Sequence, residues 1–264
     1  YASGINTITI RDSIIESGVI IGYNKDQKNI GGFAGEFNGY IVNCQNSGTV
    51  YGIDFVGGIC ADKGQSMGPC SLYDCTFDGT IEASGKYVGG ILGAGYGGTG
   101  WGFAKNSPWP TGVNSKASGT IAGGNYVGGI LGAEPGTLQC WNNGVGYIQN
   151  NLFTGKVSAS AEDAYVGGII GYINALNRFT VISNNFYEEG CGTDAGVGEI
   201  KYIENAENDG VSVGSGWNSQ KFDYKKYGRD DDLKGADAEK LAKACTASEI
   251  ADGTIVKKLN AGLN

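Results

Sequence analysis

Cysteine is the side chain in this sequence with the widest chemical range, since it can form disulfides, bind metals or act as a nucleophile. The chain has 264 residues, seven cysteines and no histidine. Without histidine, neither a Ser-His nor a Cys-His nucleophilic pair can form, and the commonest metal ligand is missing. No C-x₂-C pair is present, which argues against a zinc site. We therefore expect no metal and no cofactor, and the odd cysteine number leaves at least one thiol unpaired within the chain.

The carboxylates do not suggest a catalytic pair. Glycoside hydrolysis needs two carboxyl groups at a defined separation, yet the nine acidic residues between Glu36 and Asp163 do not recur at one repeat position. Asp231 and Asp232 lie in a polar run that predicts a solvated loop. The net charge of −8 without a basic run disfavours nucleic acid and anionic membranes as partners. We predict a protein without catalytic activity, with a polysaccharide hydrolase or lyase, or an accessory module of one, as the alternative.

Aromatic side chains in two insertions are the candidates for ligand binding. The insertions span residues 93–112 and 132–147. The candidate residues are Tyr96, Trp101, Phe103, Trp109, Trp141 and Tyr147. Aromatic rings beside amide groups on a rigid scaffold suit carbohydrate or peptide recognition, so the predicted partner is a glycan or a host extracellular protein. In the alternative interpretation, the rings pack inward beneath the insertions.

The insertions interrupt a repeat. A glycine pair followed by an apolar pair occurs five times, in NIGGFAG (29–35), FVGGICA (55–61), YVGGILG (87–93), YVGGILG (126–132) and YVGGIIG (165–171). A second signature follows the first four pairs, in NCQNSGTV (43–50), DCTFDGTI (74–81), NSKASGTI (114–121) and NNLFTGKV (150–157). From this signature to the next glycine pair is 9 to 12 residues, whereas the other spacing varies from 17 to 30. One corner of each unit is therefore constant in length, and the other carries insertions.

Units of this kind predict stacked parallel strands, in which equivalent residues form columns about 4.8 Å apart. Two columns are predicted to be buried: Val56, Val88, Val127, Val166 and Ile59, Ile91, Ile130, Ile169. A polar ladder is predicted at a turn, formed by Asn43, Asp74, Asn114, Asn150 and Asn184. Residues 8–20 fit a degenerate first unit, with Ser13 in the asparagine position and Gly18 in that of the turn glycine.

Two further columns carry side chains with chemistry. Tyr87, Tyr126 and Tyr165 should stack on the outer face, either as structural packing or as a sugar-binding strip. Cys44 and Cys75 share a column, which favours stacked buried thiols, although a disulfide is geometrically possible.

The GG-[IL]-x-G core with its N-C-x-x-x-G-T-[VI] partner resembles the GLUG-motif repeats of bacterial surface proteins, including adhesin-like proteins and immunoglobulin A peptidase precursors. The resemblance covers residues 29–171, and segments 184–200 and 248–262 are similar to sequences that follow such repeats in Gram-positive surface proteins. It implies a right-handed coil and an extracellular location, on the cell surface or attached to the cell wall. It also implies a monomeric fragment of a larger chain that acts as an adhesin or stalk.

We therefore expect an all-β fold, a right-handed parallel β-helix (solenoid) over residues 1–200, followed by an irregular segment and a small helical cap over 201–264. Residues 246–249 have the form of a capping box, and Ile250, Ile255 and Leu259 form an apolar face that Gly253 divides. The cap is expected to close an open end of the coil. A linker with a separate module is the alternative.

Overall fold

The structure, a computed structural model, describes residues 8–37, 39–62, 70–95, 109–134, 146–174, 180–201 and 241–261. These residues form an all-β fold of five parallel sheets with a small helical segment near the C-terminal end. The described helices are too short to span a lipid bilayer.

The five sheets, named A to E, consist of short strands. Sheet A contains β1 (Ile8–Arg11), β6 (Gly39–Val42), β11 (Cys70–Tyr73), β16 (Trp109–Val113), β21 (Gly146–Gln149) and β26 (Thr180–Ser183). Sheet B contains β2 (Ile14–Ile15), β7 (Gln45–Asn46), β12 (Thr76–Phe77), β17 (Lys116–Ala117), β22 (Leu152–Phe153), β27 (Asn185–Glu188) and β29 (Ala242–Cys245). Sheet C contains β3 (Ile20–Ile21), β8 (Thr49–Gly52), β13 (Thr80–Ala83), β18 (Thr120–Gly123) and β23 (Lys156–Ala159).

The remaining two sheets contain the glycine pairs. Sheet D contains β4 (Ile30–Gly31), β9 (Val56–Gly57), β14 (Lys86–Gly89), β19 (Asn125–Gly128) and β24 (Val166–Gly167). Sheet E contains β5 (Ala34–Glu36), β10 (Cys60–Asp62), β15 (Leu92–Ala94), β20 (Leu131–Glu134), β25 (Ile170–Asn174) and β28 (Val197–Lys201).

The chain visits the sheets in a fixed order. It passes through A, B, C, D and E five times, and in these passages each strand pairs in parallel with the strand five places later in the chain. We term one such passage a circuit. Circuits one to five span residues 8–36, 39–62, 70–94, 109–134 and 146–174, and a sixth, with strands in sheets A, B and E, spans 180–201. Each repeat unit of the sequence therefore corresponds to one circuit.

The valine and isoleucine columns lie in the core, as predicted. Val56, Val88 and Val127 are fully buried register partners in sheet D, and Val166 packs against the core at the end of the column. The four isoleucines of the second column are at most 1% exposed. The apolar pairs of the second to fifth repeats are thus buried in the interior, whereas Phe33 and Ala34 of the first repeat are half-buried.

Two kinds of glycine in the repeat, the pair and the glycine that ends each motif, allow close approach of neighbouring backbone and side chains. A Cβ atom at Gly93 would lie 2.8 Å from both Tyr87 O and Val56 N, which is closer than side chains tolerate. A Cβ atom at Gly129 would lie 2.5 Å from Phe153 Cδ1 and closer still to Gly168 O. Gly93 belongs to a strand of sheet E and meets the backbone of Tyr87 and Val56, whereas Gly129 meets the aromatic ring of Phe153 in sheet B. Glycine at these positions is therefore required by packing.

The predicted polar turn is confirmed. All five residues of the Asn43 column have φ between 50° and 57°, the left-handed region that asparagine and aspartate tolerate best among side-chain-bearing residues. Their side chains also bond between circuits: Asn43 Nδ2 donates to Asp12 Oδ1 at 2.8 Å, and Asn184 Nδ2 donates to Asn150 Oδ1 at 2.6 Å.

The predicted alignment of the first circuit was wrong. Arg11 pairs with Val42 and Ile14 with Gln45, so Asp12 occupies the asparagine position and Ser13 the position of Cys44. Four residues separate Ile15 from Ile20, whereas two separate their partners Asn46 and Thr49. This longer connection places Val19, rather than Gly18, opposite Gly48.

The C-terminal segment adds a strand and two helices to sheet B. β29 adds a seventh strand to sheet B beside β27. It is followed by α1 (Ala247–Ala251) and α2 (Thr254–Ala261). Ile255 of α2 is fully buried against Leu152 and Phe186 of sheet B. The added strand therefore extends sheet B at its end, and the helices pack on the outer face of that sheet.

The local prediction for this segment is confirmed. Thr246 N donates to Glu249 Oε2 at 3.0 Å and Glu249 N donates to Thr246 Oγ1 at 3.2 Å, which completes a capping box. Gly253 has φ +80° and separates the two helices. Ile250 and Leu259 pack beside Ile255, so the predicted apolar face is the one that contacts sheet B.

Candidate functional site

The predicted aromatic binding residues lie mostly beyond the part of the chain that the structure describes. Tyr96, Trp101, Phe103 and Trp141 are outside the described residues. Trp109 and Tyr147 are described at the level of the backbone, in β16 and β21. Their strands are neighbours in sheet A, and Pro110, the residue after Trp109, is the register partner of Tyr147.

The connections from sheet E to sheet A contain the middle parts of both insertions, whose ends lie in the flanking strands. Segments 63–69, 95–108, 135–145 and 175–179 each follow a strand of sheet E and precede a strand of sheet A. The strands on either side of these segments are consecutive neighbours within their sheets. The four connections therefore begin and end at adjacent positions along one corner of the fold.

An aromatic ladder borders sheet D in the described part of the chain. It comprises Phe55, Tyr87, Tyr126 and Tyr165. Neighbouring ring centroids are 4.7, 5.2 and 5.7 Å apart, with interplanar angles of 26°, 24° and 11°. The predicted stacking of the three tyrosines is thus confirmed, and Phe55 extends it. The sequence signal for Phe55 was available, since FVGG occupies the place of YVGG.

Tyr172 of sheet E joins the ladder from the side. Its ring centroid lies 4.9 Å from that of Tyr126 and 5.9 Å from that of Tyr165. Sequence reasoning missed this residue because no other aromatic residue occurs in its column, which otherwise contains Glu36, Asp62, Ala94, Ala133 and Glu199. All five rings are half-buried.

The ladder is built on unusual backbone. Phe55, Tyr87 and Tyr126 have φ of 56°, 67° and 53°, a conformation that costs a residue with a bulky side chain about 1–2 kcal/mol. Each ring pair contributes about 0.5–1.5 kcal/mol beyond burial. Because Tyr126 contacts three rings, stacking is of the size needed to offset its strain.

Polar side chains next to the ladder accept hydrogen bonds from the backbone of the turn that carries the rings. Asn125 Oδ1 accepts from Tyr126 N at 2.7 Å and from Tyr165 N, in the next circuit, at 3.1 Å. Asp54 Oδ1 accepts from Lys86 N at 2.9 Å. The residue preceding an aromatic ring therefore ties its circuit to the next one.

Stacking determines what the ladder can bind. A ring between two others has both faces covered, which is the position of Tyr87 and Tyr126 in the ladder. Sugar rings bind aromatic residues through an open ring face, which disfavours the ladder as a flat sugar-binding strip. Burial raises the pKa of Tyr172, and the neighbouring Tyr126 and Tyr165 raise it further, so its hydroxyl remains protonated at neutral pH.

The cysteine column is structural. Cys44 and Cys75 are both buried free thiols, as predicted. Cys75 Sγ donates to Ile41 O and Tyr73 O, both at 3.5 Å. Burial raises the pKa of Cys75 to about 12, which makes it a poor nucleophile.

Later circuits replace the thiols of this column with Ser115, Asn151 and Asn185. Asn151 Oδ1 accepts from Ser115 N at 2.9 Å, and Asn151 Nδ2 donates to Asn185 Oδ1 at 2.9 Å. These buried side chains satisfy backbone groups at the corner between sheets A and B. A second polar ladder therefore lies directly beside the predicted one.

Among the described residues, no three Cys, Asp or Glu side chains are grouped closely enough to hold a metal ion. Comparisons with protein-family models, curated proteins and solved structures yield no match. The resemblance to GLUG-motif repeats therefore stays a prediction.

Proposed function

We propose that the chain is a right-handed parallel β-helix that serves as a non-catalytic extracellular module of a bacterial surface protein. The cyclic order of the five parallel sheets supports a solenoid. The right hand is the one that nearly all crossover connections between parallel strands adopt. Resemblance to GLUG-motif surface proteins supports the extracellular location.

In this proposal the insertions between sheets E and A form the binding edge of an adhesin or stalk. The observation that carries it is that these connections leave neighbouring strands at one corner. Solenoids commonly place variable insertions on one face, which then becomes the binding face. Residues 96–108 and 135–145 would together present Trp101, Trp141 and their aromatic neighbours to a glycan or a host extracellular protein.

Loop replacement tests the proposal. Residues 96–108, and separately 135–145, are replaced by residues 63–69, the native connection of the second circuit. Both variants and the unchanged chain are applied to an array of glycans and extracellular-matrix proteins. We expect each replacement to abolish binding to a ligand that the unchanged chain retains, while circular dichroism remains unchanged.

A matched control replaces Tyr51, a half-buried aromatic residue of sheet C, by alanine. Binding that survives both loop replacements, or that is lost only in the Tyr51 variant, would contradict the proposal. A reducing-sugar assay on the glycans that bind addresses the alternative function. Release of sugar ends by the unchanged chain would replace the adhesin proposal with a polysaccharide-active one.

A further inference from the structure

Tyrosine rings from three circuits meet where sheets D and E adjoin. Tyr172 lies against Tyr126 and Tyr165, and Tyr126 also stacks on Tyr87. Each of the four rings is half-buried, so part of every ring packs on a neighbour and part is reachable from solvent. Five cysteines whose side chains are described, and whose thiols are easier to oxidise, are all buried: Cys44, Cys60, Cys75, Cys191 and Cys245. A small oxidant therefore meets these phenols before it meets a described thiol.

Adjacent phenols have a specific oxidative chemistry. A one-electron oxidant removes an electron from each phenol, and each hydroxyl proton leaves to water, which gives two phenoxyl radicals. The radicals join through ring carbons ortho to oxygen. The hydrogen on each joined carbon then moves to the phenoxyl oxygen, which restores both aromatic rings. Two electrons and two protons are released in total, and a haem peroxidase transfers them to one hydrogen peroxide molecule, which becomes two water molecules.

We propose that Tyr126 and Tyr172 form a dityrosine cross-link in the presence of hydrogen peroxide and a peroxidase-type oxidant. Their ring centroids, 4.9 Å apart, are the closest of the described tyrosine pairs, and their planes are inclined by 41°. The inclination turns an edge of one ring toward the other. The other tyrosine pairs are farther apart, at 5.2 to 5.9 Å between centroids, and lie closer to parallel, at 11° to 30°.

The bond would staple circuit four to circuit five. In the described residues these circuits are joined by backbone hydrogen bonds and side-chain packing, and the five cysteines whose side chains are described are free thiols. A covalent bond between residues 126 and 172 closes a long loop in the unfolded chain, which lowers its conformational entropy. Cross-linking is therefore expected to raise the thermal midpoint of unfolding.

Peptide mapping tests the proposal on the full chain. The dilute protein is treated with hydrogen peroxide and a haem peroxidase, and the monomer is digested with trypsin. Cleavage after Lys116, Lys156 and Arg178 places Tyr126 and Tyr172 in separate peptides, 117–156 and 157–178. We expect these two peptides joined with a mass loss of two hydrogen atoms, with dityrosine fluorescence, and with fragment ions that locate the bond at Tyr126 and Tyr172.

Phenylalanine variants identify the bond. Tyr126→Phe and Tyr172→Phe should each lose the joined peptide pair and the greater part of the fluorescence, whereas Tyr51→Phe should retain both. Phenylalanine is compatible with the stack, since Phe55 occupies the same ladder. Absence of the joined peptides in the unchanged chain would overturn the proposal, as would their persistence in either Tyr126→Phe or Tyr172→Phe.

Discussion

At the residue scale, two opposing contributions to stability meet at Tyr126: the strain of its left-handed backbone and the stacking of its ring. Its left-handed backbone favours asparagine, the residue at the equivalent place in the first circuit, Asn29, which has φ 57°. Its three ring contacts favour an aromatic side chain. We predict that Tyr126→Asn lowers the free energy of unfolding by about 1–3 kcal/mol, because lost stacking and burial outweigh relieved strain.

The measurement is urea-induced unfolding followed by circular dichroism. Tyr126→Phe is the control, and it should stay within about 1 kcal/mol of the unchanged chain because the ring remains. A Tyr126→Asn variant as stable as the unchanged chain would show that backbone strain is the dominant energy at this position.

A second residue-scale prediction concerns pH. Burial raises the pKa of Cys75 from 9.0 to about 12 in the folded protein. Its contribution to stability is therefore fully present below about pH 9. Above that pH the unfolded thiol ionises while the folded thiol does not, so the contribution is lost between about pH 9 and about pH 12. The corresponding fall in the free energy of unfolding is at most about 1.4 kcal/mol per pH unit.

Cys75→Ser separates this effect from other alkaline titrations. Serine occurs in the same column at Ser115, which bonds to Cys75 N at 3.2 Å. Urea unfolding of both proteins at about pH 8 and about pH 10 should show a smaller loss of stability in the serine variant. Equal losses in the two proteins would mean that the Cys75 thiol does not titrate differently in the folded and unfolded states.

At the element scale, the close packing of sheets D, E and B depends on glycine. A side chain at Gly129 would overlap both Gly168 O and the ring of Phe153. Gly129→Ala is expected to cost more than about 3 kcal/mol, because the backbone carbonyl cannot move aside as a side chain could. Adding Phe153→Leu should not restore stability, since the overlap with the carbonyl remains.

Gly190→Ala is the control for this substitution. A Cβ atom at Gly190 would meet no atom within 4 Å, although φ is +71° there. It should therefore cost only the left-handed strain, about 1–2 kcal/mol. Thermal unfolding of the three variants checks the order, and a Gly129→Ala variant no less stable than Gly190→Ala would contradict the packing argument.

The C-terminal helices offer another test at this scale. Ile255 is fully buried on Leu152 and Phe186, whereas its neighbour Val256 is 49% exposed. Ile255→Ala should cost about 2–5 kcal/mol and expose the helices to protease. Val256→Ala should change stability by less than about 0.5 kcal/mol. Equal protease resistance of the two variants would argue against docking of α2 on sheet B.

At the scale of the whole molecule, the repeat allowed much of the architecture to be predicted. Val56 and Ile59 recur with their glycines, so their columns could be assigned to the core from spacing. The number of sheets per circuit could not be predicted, because strands of two to five residues are too short to give a periodicity signal. Two of the corners turn at left-handed residues as different as Asn114 and Tyr126. The position of α2 depended on β29, which no repeat encodes.

The proposed solenoid makes one prediction about the entire chain. Deletion of residues 70–108 removes the third circuit with its insertion and brings strands of the second and fourth circuits together. Leu92 has register partners Cys60 and Leu131, so these two residues can replace it as each other's partner. The same holds in sheet D, where Val88 lies between Val56 and Val127. All five sheets would therefore keep their order.

We expect this deletion to leave a folded protein with similar circular dichroism and lower stability, because each circuit of a solenoid contacts only its neighbours. Deletion of residues 70–83 removes fewer residues, but it removes only three of the five strands of the third circuit, β11, β12 and β13. Every later strand would then enter the wrong sheet. That variant should fail to unfold cooperatively in urea. If the larger deletion unfolds like the smaller one, the circuits are not the independent structural units that the strand order implies, and the solenoid proposal would be wrong.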